Sequence, residues 1–252
     1  ALVLGSWRDL PLTGTPSTAG GDSFGPVYYW VLWVARVTIG PFTQNLPHAG
    51  GIGIALFQSA ADAWLVIAIW KRWKSLPLAV GVVLLIATGP LDLSLSATIW
   101  NPAVAVALVK MTMAMVLTQP EAPSLWRIAI TSALAWMAVQ AHSTGIFVAA
   151  SVMGALTLQP LIARNWRRAF EVARVNVEVI VLLQLPWLWH QLHAPGSELG
   201  PSRVVNSLAG GTTGEASVSL ARSYASSMGL TALNLTQPLT MPGALVIVAA
   251  GI

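Results

Sequence analysis

Residues 49–74 read AGGIGIALFQSAADAWLVIAIW followed by KRWK, so 22 residues with Asp62 as their only charge run into a basic cluster. About 20 predominantly apolar residues in a helix cross the ~30 Å hydrocarbon core of a bilayer. Lipid offers the backbone no hydrogen-bonding partner, so such a stretch must be helical. The stretch therefore predicts a transmembrane helix over 49–70 that ends at a basic, water-facing corner.

The composition of the whole chain agrees with this interpretation. Only 9% of its 252 residues are charged and 55% are hydrophobic, with a mean hydropathy of +0.69. A soluble domain carries about 25% charged residues, so lipid must cover much of this surface. The net charge of +4 is typical of basic cytoplasmic loops, and we predict a bilayer and no nucleic acid as partner. The absence of cysteine excludes disulfides, thiolate metal sites and thiol catalysis.

Further stretches are long enough, or nearly so, to cross a bilayer. They predict an all-α, polytopic transmembrane bundle with six full spans and a truncated last one. The six are 49–70, 76–93, 102–119, 125–142, 144–163 and 172–192. The links are short, so consecutive spans should be antiparallel. We treat 1–252 as a single transmembrane domain, truncated at both ends because residues 1–4 and 243–252 resemble incomplete spans.

Positive charge predicts the orientation. The clusters 71–74 and 164–168 are separated by four spans and fall on one side with Arg127, which we assign to the cytoplasm. The first outer loop is then 5–48 and a long outer loop is 194–240. Tryptophans would line both interfaces: Trp70, Trp73, Trp126 and Trp166 inside, and Trp100, Trp187 and Trp189 outside. Residues 26–39 are apolar but short and interrupted by Arg36, which predicts a juxtamembrane helix in the outer interface.

Three motifs occur in order on the predicted outer face. They are Asp9-Leu-Pro-Leu-Thr-Gly14 leading to Gly25-Pro-Val-Tyr-Tyr-Trp30, then Ile99-Trp-Asn-Pro102, then Gln140-Ala-His142. The set resembles bacterial GT-C-class glycosyltransferases, polyprenyl-phosphate-sugar-dependent enzymes related to protein O-mannosyltransferases. Relatives often carry two adjacent acids in the first loop and an Arg-Leu-Pro-Ser-Ala-like run. This chain has isolated Asp9 and Asp22 in that loop, and Asn45-Leu-Pro-His48 in place of the run. The resemblance therefore implies the GT-C class and names no substrate.

The resemblance implies transfer of a sugar from a polyprenyl-phosphate donor to an envelope glycan, lipid or protein acceptor, outside the plasma membrane. A carboxylate would take the acceptor proton and cations would bind the leaving phosphate. Catalytic candidates are Asp9 and Asp22, in that order. Candidates for the donor phosphate are Arg36, His142, Arg203 and Arg222. Residues that would shape the site are Tyr28, Tyr29, Trp100, Asn101 and Gln140.

Each candidate also has a purely structural interpretation. Both acids can be ordinary loop carboxylates, and Arg36 can reach the headgroups from an interfacial helix. Asn101 can cap the helix that Pro102 begins, and His142 can be a hydrogen-bonded corner. No acids or histidines stand at metal-ligand spacing, so we predict no metal site made by the protein alone. A divalent cation such as Mg²⁺ or Mn²⁺ would be held loosely by Asp9 or Asp22 and the donor phosphate.

Three charged residues fall near the middle of the predicted spans: Asp62, Lys110 and Glu178. Counted at ~1.5 Å per residue from the inner ends of their spans, all three lie near the middle of the core. A lone charge there costs at least ~2.5–3.5 kcal/mol, so we predict that Lys110 pairs with Asp62 or Glu178 as a structural clamp. The alternatives to the enzyme are a transporter or flippase, which would need a polar path, and a non-catalytic scaffold.

Overall fold

The computed structural model describes residues 6–15, 25–43, 45–96 and 98–193, and this part of the chain is all helical. Short 3₁₀ turns occur at Trp7–Asp9 and Gly40–Phe42. The α-helices are α1 (Val27–Ile39), α2 (Leu46–Trp73), α3 (Leu76–Ala87), α4 (Pro90–Ser96), α5 (Asn101–Leu117), α6 (Leu125–Ala141), α7 (Gly145–Ile162) and α8 (Trp166–His193). The predicted loop 194–240 and the truncated last span lie outside the described residues.

Three helices in the described part are long and apolar enough to cross a membrane: Leu46–Trp73, Gly145–Ile162 and Trp166–His190. The helices α5 and α6 are apolar but have 17 residues each, or ~25 Å at 1.5 Å per residue. Large apolar side chains face outward, Leu85 being 77% and Leu182 63% exposed. These features indicate a membrane protein, with three of the six predicted spans long enough to cross the bilayer.

The helix packing follows the predicted antiparallel order of neighbours. On α5 and α6, Asn101 contacts Ala141 at one end, and Gln119 contacts Thr131 at the other. Helices two spans apart run parallel: Ile54 of α2 packs beside Val104 of α5, and their later residues Ile69 and Ala114 pack together further along. Both predicted cytoplasmic clusters therefore lie at the same end of the bundle. We name residues 70–76, 118–127 and 162–171 the basic end.

The predicted span 76–93 is wrong as one continuous helix. Helix α3 stops after 12 residues at Ala87, and α4 starts again at Pro90. Proline has no backbone N–H and disfavours helical geometry in the preceding residue, here Gly89. At the end of α3, the hydroxyl of Thr88 donates a hydrogen bond to the Leu84 carbonyl at 2.7 Å. The predicted span is thus a helix broken between α3 and α4, and the sequence did not reveal the break.

A buried ion cluster joins α2, α4 and α5. The Lys110 ammonium lies 2.7 Å from Asp62 Oδ1 and donates a hydrogen bond to Asp92 Oδ2. The Lys110 and Asp92 side chains are 6% and 7% exposed, and that of Asp62 is 23% exposed. The prediction that Lys110 pairs with Asp62 or Glu178 is confirmed, with Asp62 as the partner. The second carboxylate, Asp92, was not anticipated, because an unbroken span would have carried it to the outer boundary.

Glu178 was the alternative partner named for Lys110, and the structure does not pair the two residues. It lies on α8 and pairs with Arg174 one turn away at 3.5 Å, with both side chains more than half exposed.

A neutral hydrogen-bond network around Asn176 joins α8 to α6 and α7. Its amide donates to the Met153 carbonyl and to Thr157, and its oxygen accepts from Ser132 at 2.6 Å. Trp187, predicted at the outer interface, is buried.

We predict that replacing Lys110 by methionine destabilises the bundle. The substitution keeps the length and apolar stem of the side chain but leaves two carboxylates near each other without their cation. Removing one partner of a buried ion pair costs about 3–5 kcal/mol. Chemical or thermal unfolding of the purified protein in detergent measures the loss.

Lys71→Met is the matched control, because Lys71 is exposed at the end of α2 and forms no ion pair among the described residues. It should change stability by less than about 0.5 kcal/mol. Equal, small effects of Lys110→Met and Lys71→Met would contradict the clamp.

Candidate functional site

The fold brings the three motifs together at the end of the bundle opposite the basic end. The Tyr28 hydroxyl of α1 donates to the carbonyl of Ile99 at 3.1 Å. The Asn101 amide, two residues further, donates to the carbonyl of Ala141 at 3.1 Å. Contacts thus connect residues 25–30, 99–102 and 140–142, and we name these residues the motif corner. Motifs separated by about 40 to 70 positions in the chain form one structural unit.

Gln140 is the buried centre of the motif corner. Its side chain is fully buried and donates to the Leu183 carbonyl and to Gln184 Oε1 on α8, both at 2.6 Å. Gly25 packs directly against it, because a Cβ built on Gly25 would overlap the Gln140 amide group. The first motif therefore needs glycine at this position for a close approach of the chain to a buried amide.

Asn101 does not cap α5, which corrects one of its predicted roles. It is the first helical residue, Trp100 is the N-cap, and neither side chain caps the helix. Proline follows in the first turn, as predicted, where its missing N–H costs nothing. The Asn101 amide points across the corner, and besides Ala141 it donates to the hydroxyl of Thr15 at 3.2 Å. It therefore ties the first loop to the end of α6.

His142 and Tyr28 are the two titratable groups of the motif corner whose pKa the surroundings shift. His142 follows α6, is half-buried and shares a hydrogen bond with Thr144 Oγ1 at 2.8 Å. Burial lowers the pKa of His142, so the ring is neutral at pH 7 and can offer one donor and one acceptor. Burial, with the neighbouring Tyr29, raises the pKa of Tyr28 to about 12, so its hydroxyl stays protonated and donates.

Asp9 is the accessible carboxylate of the described first loop. It ends a 3₁₀ turn, is exposed, and accepts a hydrogen bond from the backbone N–H of Ser6 at 3.1 Å. Among the described residues no cation lies within ion-pair distance of it. Six positions later, Thr15 reaches the motif corner. The carboxylate is therefore on a segment anchored at the corner, and it is free to accept a proton from a bound hydroxyl.

Arg36 lies apart from the motif corner, eight residues beyond Tyr28 on α1, or ~12 Å along the helix. Its side chain is partly buried, and Nη1 is shielded from solvent without a hydrogen-bond partner among the described residues. Such a nitrogen is a costly donor left unused, since an unpaired buried polar group loses its hydration. The structure thus leaves Arg36 with an available cationic donor at the far end of α1.

The remaining candidates divide into two groups. Trp100 is 57% exposed at the corner, and Tyr29 packs against Tyr28 with ring centroids 5.5 Å apart. Asp22, Arg203 and Arg222 lie outside the described residues. Sequence reasoning missed Thr15 and Gln184, the two side chains that connect the corner to the first loop and to α8. The signal for Gln184 was present: it is an uncharged polar residue within an apolar span, as Gln140 is.

The described residues contain no group of three acids and histidines close enough to hold a metal ion. Comparisons with protein-family models, with curated proteins and with solved structures gave no match.

We predict that Gly25→Ala destabilises the motif corner. The added methyl would overlap Gln140, whose position is held by two hydrogen bonds to α8. Overpacking of this kind costs about 1–3 kcal/mol. The loss is measured as a drop in the thermal unfolding midpoint in detergent, and Gln140→Ala in the same chain should recover part of it by making room.

Gly81→Ala is the matched control. Gly81 lies inside α3, and a methyl group added there would meet no atom within 4 Å apart from its chain neighbours and the nearby backbone of its own helix. Alanine is favoured over glycine inside a helix by up to about 1 kcal/mol. A Gly25→Ala protein that is as stable as the Gly81→Ala protein would show that the close approach to Gln140 does not matter.

Proposed function

We propose that this chain is a GT-C-like membrane glycosyltransferase that takes a sugar from a polyprenyl-phosphate donor. The acceptor is a hydroxyl of an envelope glycan, lipid or protein, and the reaction occurs on the outer face of the plasma membrane. The observation that carries the proposal is the motif corner. The three motifs on which the resemblance rests contact one another in space, as they must if they serve one site.

The chemistry assigns each group a role. Asp9 accepts the proton of the acceptor hydroxyl while the hydroxyl oxygen bonds to the anomeric carbon of the sugar. The bond from that carbon to the phosphate oxygen breaks, and polyprenyl phosphate leaves with the electron pair. A cation stabilises the leaving phosphate; Arg36, with its unpartnered Nη1, is the candidate among the described residues if the donor phosphate lies along α1 away from the corner. Neutral His142 can donate a further hydrogen bond, and a divalent cation would act together with the phosphate.

The arrangement of the first loop supports Asp9 as the base. Thr15 fixes the loop to Asn101 six residues after the exposed Asp9, so the Asp9 carboxylate lies within about 20 Å of that anchor along the chain. The buried Gln140 and Tyr28 hold the corner itself. In this proposal Tyr28, Asn101 and Gln140 position the site, and they do not touch the reacting atoms.

A transporter or flippase is the second candidate, favoured by the break between α3 and α4 close to the buried ions. Discontinuous helices with ions at the bilayer midplane are typical of transporters. Against it, Lys110 is 5% exposed and contacts both carboxylates, so the charges of this cluster pair with one another. Movement of a fluorescent polyprenyl-phosphate sugar across proteoliposomes, without transfer, would favour the flippase.

We predict that Asp9→Asn lowers sugar transfer by about 10²–10⁴-fold, the usual contribution of a general base. The assay supplies synthetic polyprenyl-phosphate hexoses labelled in the sugar to membranes that contain the protein, and measures the release of polyprenyl phosphate. Asp22→Asn should have a smaller effect. Expression and the thermal midpoint should be unchanged, because the Asp9 side chain is exposed and bonded only within its own turn.

Glu121→Gln is the control, since Glu121 is an exposed carboxylate at the basic end. It should leave transfer intact. Wild-type release by both the Asp9→Asn and the Asp22→Asn proteins would remove the first loop from the chemistry.

We also predict the orientation, using single cysteines in this cysteine-free chain. A membrane-impermeant thiol reagent applied to intact cells should label Ser143→Cys, which is beside the motif corner, and should not label Arg72→Cys at the basic end. Lysed cells should show both labelled. Labelling of position 72 in intact cells would reverse the orientation and place the motif corner in the cytoplasm.

A further inference from the structure

The basic end carries a concentration of charge that the proposed function does not use. It has seven cationic side chains, Lys71, Arg72, Lys74, Arg127, Arg164, Arg167 and Arg168, against the two carboxylates Glu121 and Glu171. Two of the cations serve the fold. Arg127 donates to the Thr118 carbonyl at 2.7 Å, and Arg168 donates to the Pro123 carbonyl. The others are concentrated at two helix corners.

The two corners have the same construction. After α2, Lys74 adopts left-handed backbone geometry (φ 56°), and Ser75 then caps α3 by accepting the N–H of Leu78. After α7, Arg164 adopts the same geometry (φ 55°), and Asn165 accepts the N–H of Arg168. A basic residue in left-handed geometry followed by a capping residue therefore occurs twice at the same end of the bundle.

A basic residue is a poor choice for this backbone geometry. Left-handed geometry costs a residue with a Cβ roughly 1–2 kcal/mol, whereas glycine or asparagine adopts it easily. Helices commonly end with glycine at this position. The chain uses glycine freely elsewhere, with 21 in all, yet it has lysine and arginine at both corners. The conformational cost of the left-handed backbone at Lys74 and Arg164 is explained if their charged side chains bind a partner.

The surroundings indicate the chemistry of that partner. Lys74 and Arg164 are exposed and form no ion pair among the described residues. Each corner also exposes large apolar groups: Trp73 and Leu76 are each 53% exposed, Trp166 is 71% and Phe170 is 72%. A soluble anion or an acidic protein would not need apolar surface beside the charge. A phospholipid offers both, a phosphate for the cation and acyl chains for the rings.

We propose that the corners at Lys74 and Arg164 are two binding sites for anionic phospholipid headgroups at the cytoplasmic leaflet. Each site combines the cation in left-handed geometry, its basic neighbours and the adjacent exposed tryptophan. The proposal needs only that the helices cross the membrane with the basic end at the headgroup level. It is independent of any sugar transfer at the motif corner.

The test uses the full chain in nanodiscs of phosphatidylcholine alone or mixed with phosphatidylglycerol. Affinity for brominated phosphatidylglycerol relative to brominated phosphatidylcholine is read from tryptophan quenching, and stability from the thermal midpoint. The double variant Lys74→Gly with Arg164→Gly should lose phosphatidylglycerol preference on the order of fivefold per site. Its midpoint in pure phosphatidylcholine should rise, because the backbone cost is relieved. Lys74→Asn with Arg164→Asn, which also tolerates this geometry, provides a second neutral pair.

The charge-retaining pair Lys74→Arg with Arg164→Lys should keep the wild-type preference. Several outcomes would overturn the proposal. A neutral pair with undiminished preference would show that the corners do not bind the headgroup. A wild-type protein without preference for phosphatidylglycerol would exclude anionic lipid as the partner. A midpoint of the glycine pair below that of wild type in phosphatidylcholine would show that the basic residues stabilise the fold themselves.

Discussion

Lys110 lies in the middle of an apolar helix, where its ammonium is almost completely removed from solvent. An isolated charge in such a place is costly, so its position constrains everything that can pack around it. Asp62 approaches from α2 and Asp92 from α4. The break after α3 allows Asp92 to reach Lys110, because one continuous helix would carry this carboxylate further along the bundle axis. The ion cluster thus connects the packing of α2 against α5 with the interrupted helix of the described chain.

Elsewhere in the bundle, uncharged side-chain amides join helices by hydrogen bonds, as the ion cluster joins α2, α4 and α5 by charge. Asn176 joins α8 to α6 and α7, Gln140 joins α6 to α8, and Asn101 joins α5 to α6 and to the first loop. Apolar contact between helices gains little in lipid, because lipid chains are as apolar as leucine. Directional hydrogen bonds therefore select which helix faces meet. The motif corner is a consequence of this selection.

The two ends of the bundle differ in what they offer a partner. The motif corner is tightly hydrogen bonded, and the exposed Asp9 carboxylate is on the loop that Thr15 ties to it. The basic end is exposed and cationic, and its two corners have the basic residues Lys74 and Arg164 in left-handed backbone geometry, where glycine would be less strained. The proposed proton transfer and the proposed headgroup binding would therefore use opposite ends of the bundle. This physical division supports separate roles for the two ends.

The sequence by itself determined the helical class, the helix order and the position of both basic clusters at one end. Those features depend on hydrophobic length and short links, which are local. It also predicted that Lys110 pairs with Asp62 or Glu178, because depth along a helix can be counted from residue numbers, and the structure selected Asp62. Only the tertiary structure decided that α3 and α4 are separate helices and that Asp92 completes the ion cluster. It also decided that Glu178 pairs with Arg174, and that Asn101 donates hydrogen bonds to Ala141 and Thr15. These outcomes depend on helix rotation and on which faces meet, and side chains distant in sequence set both.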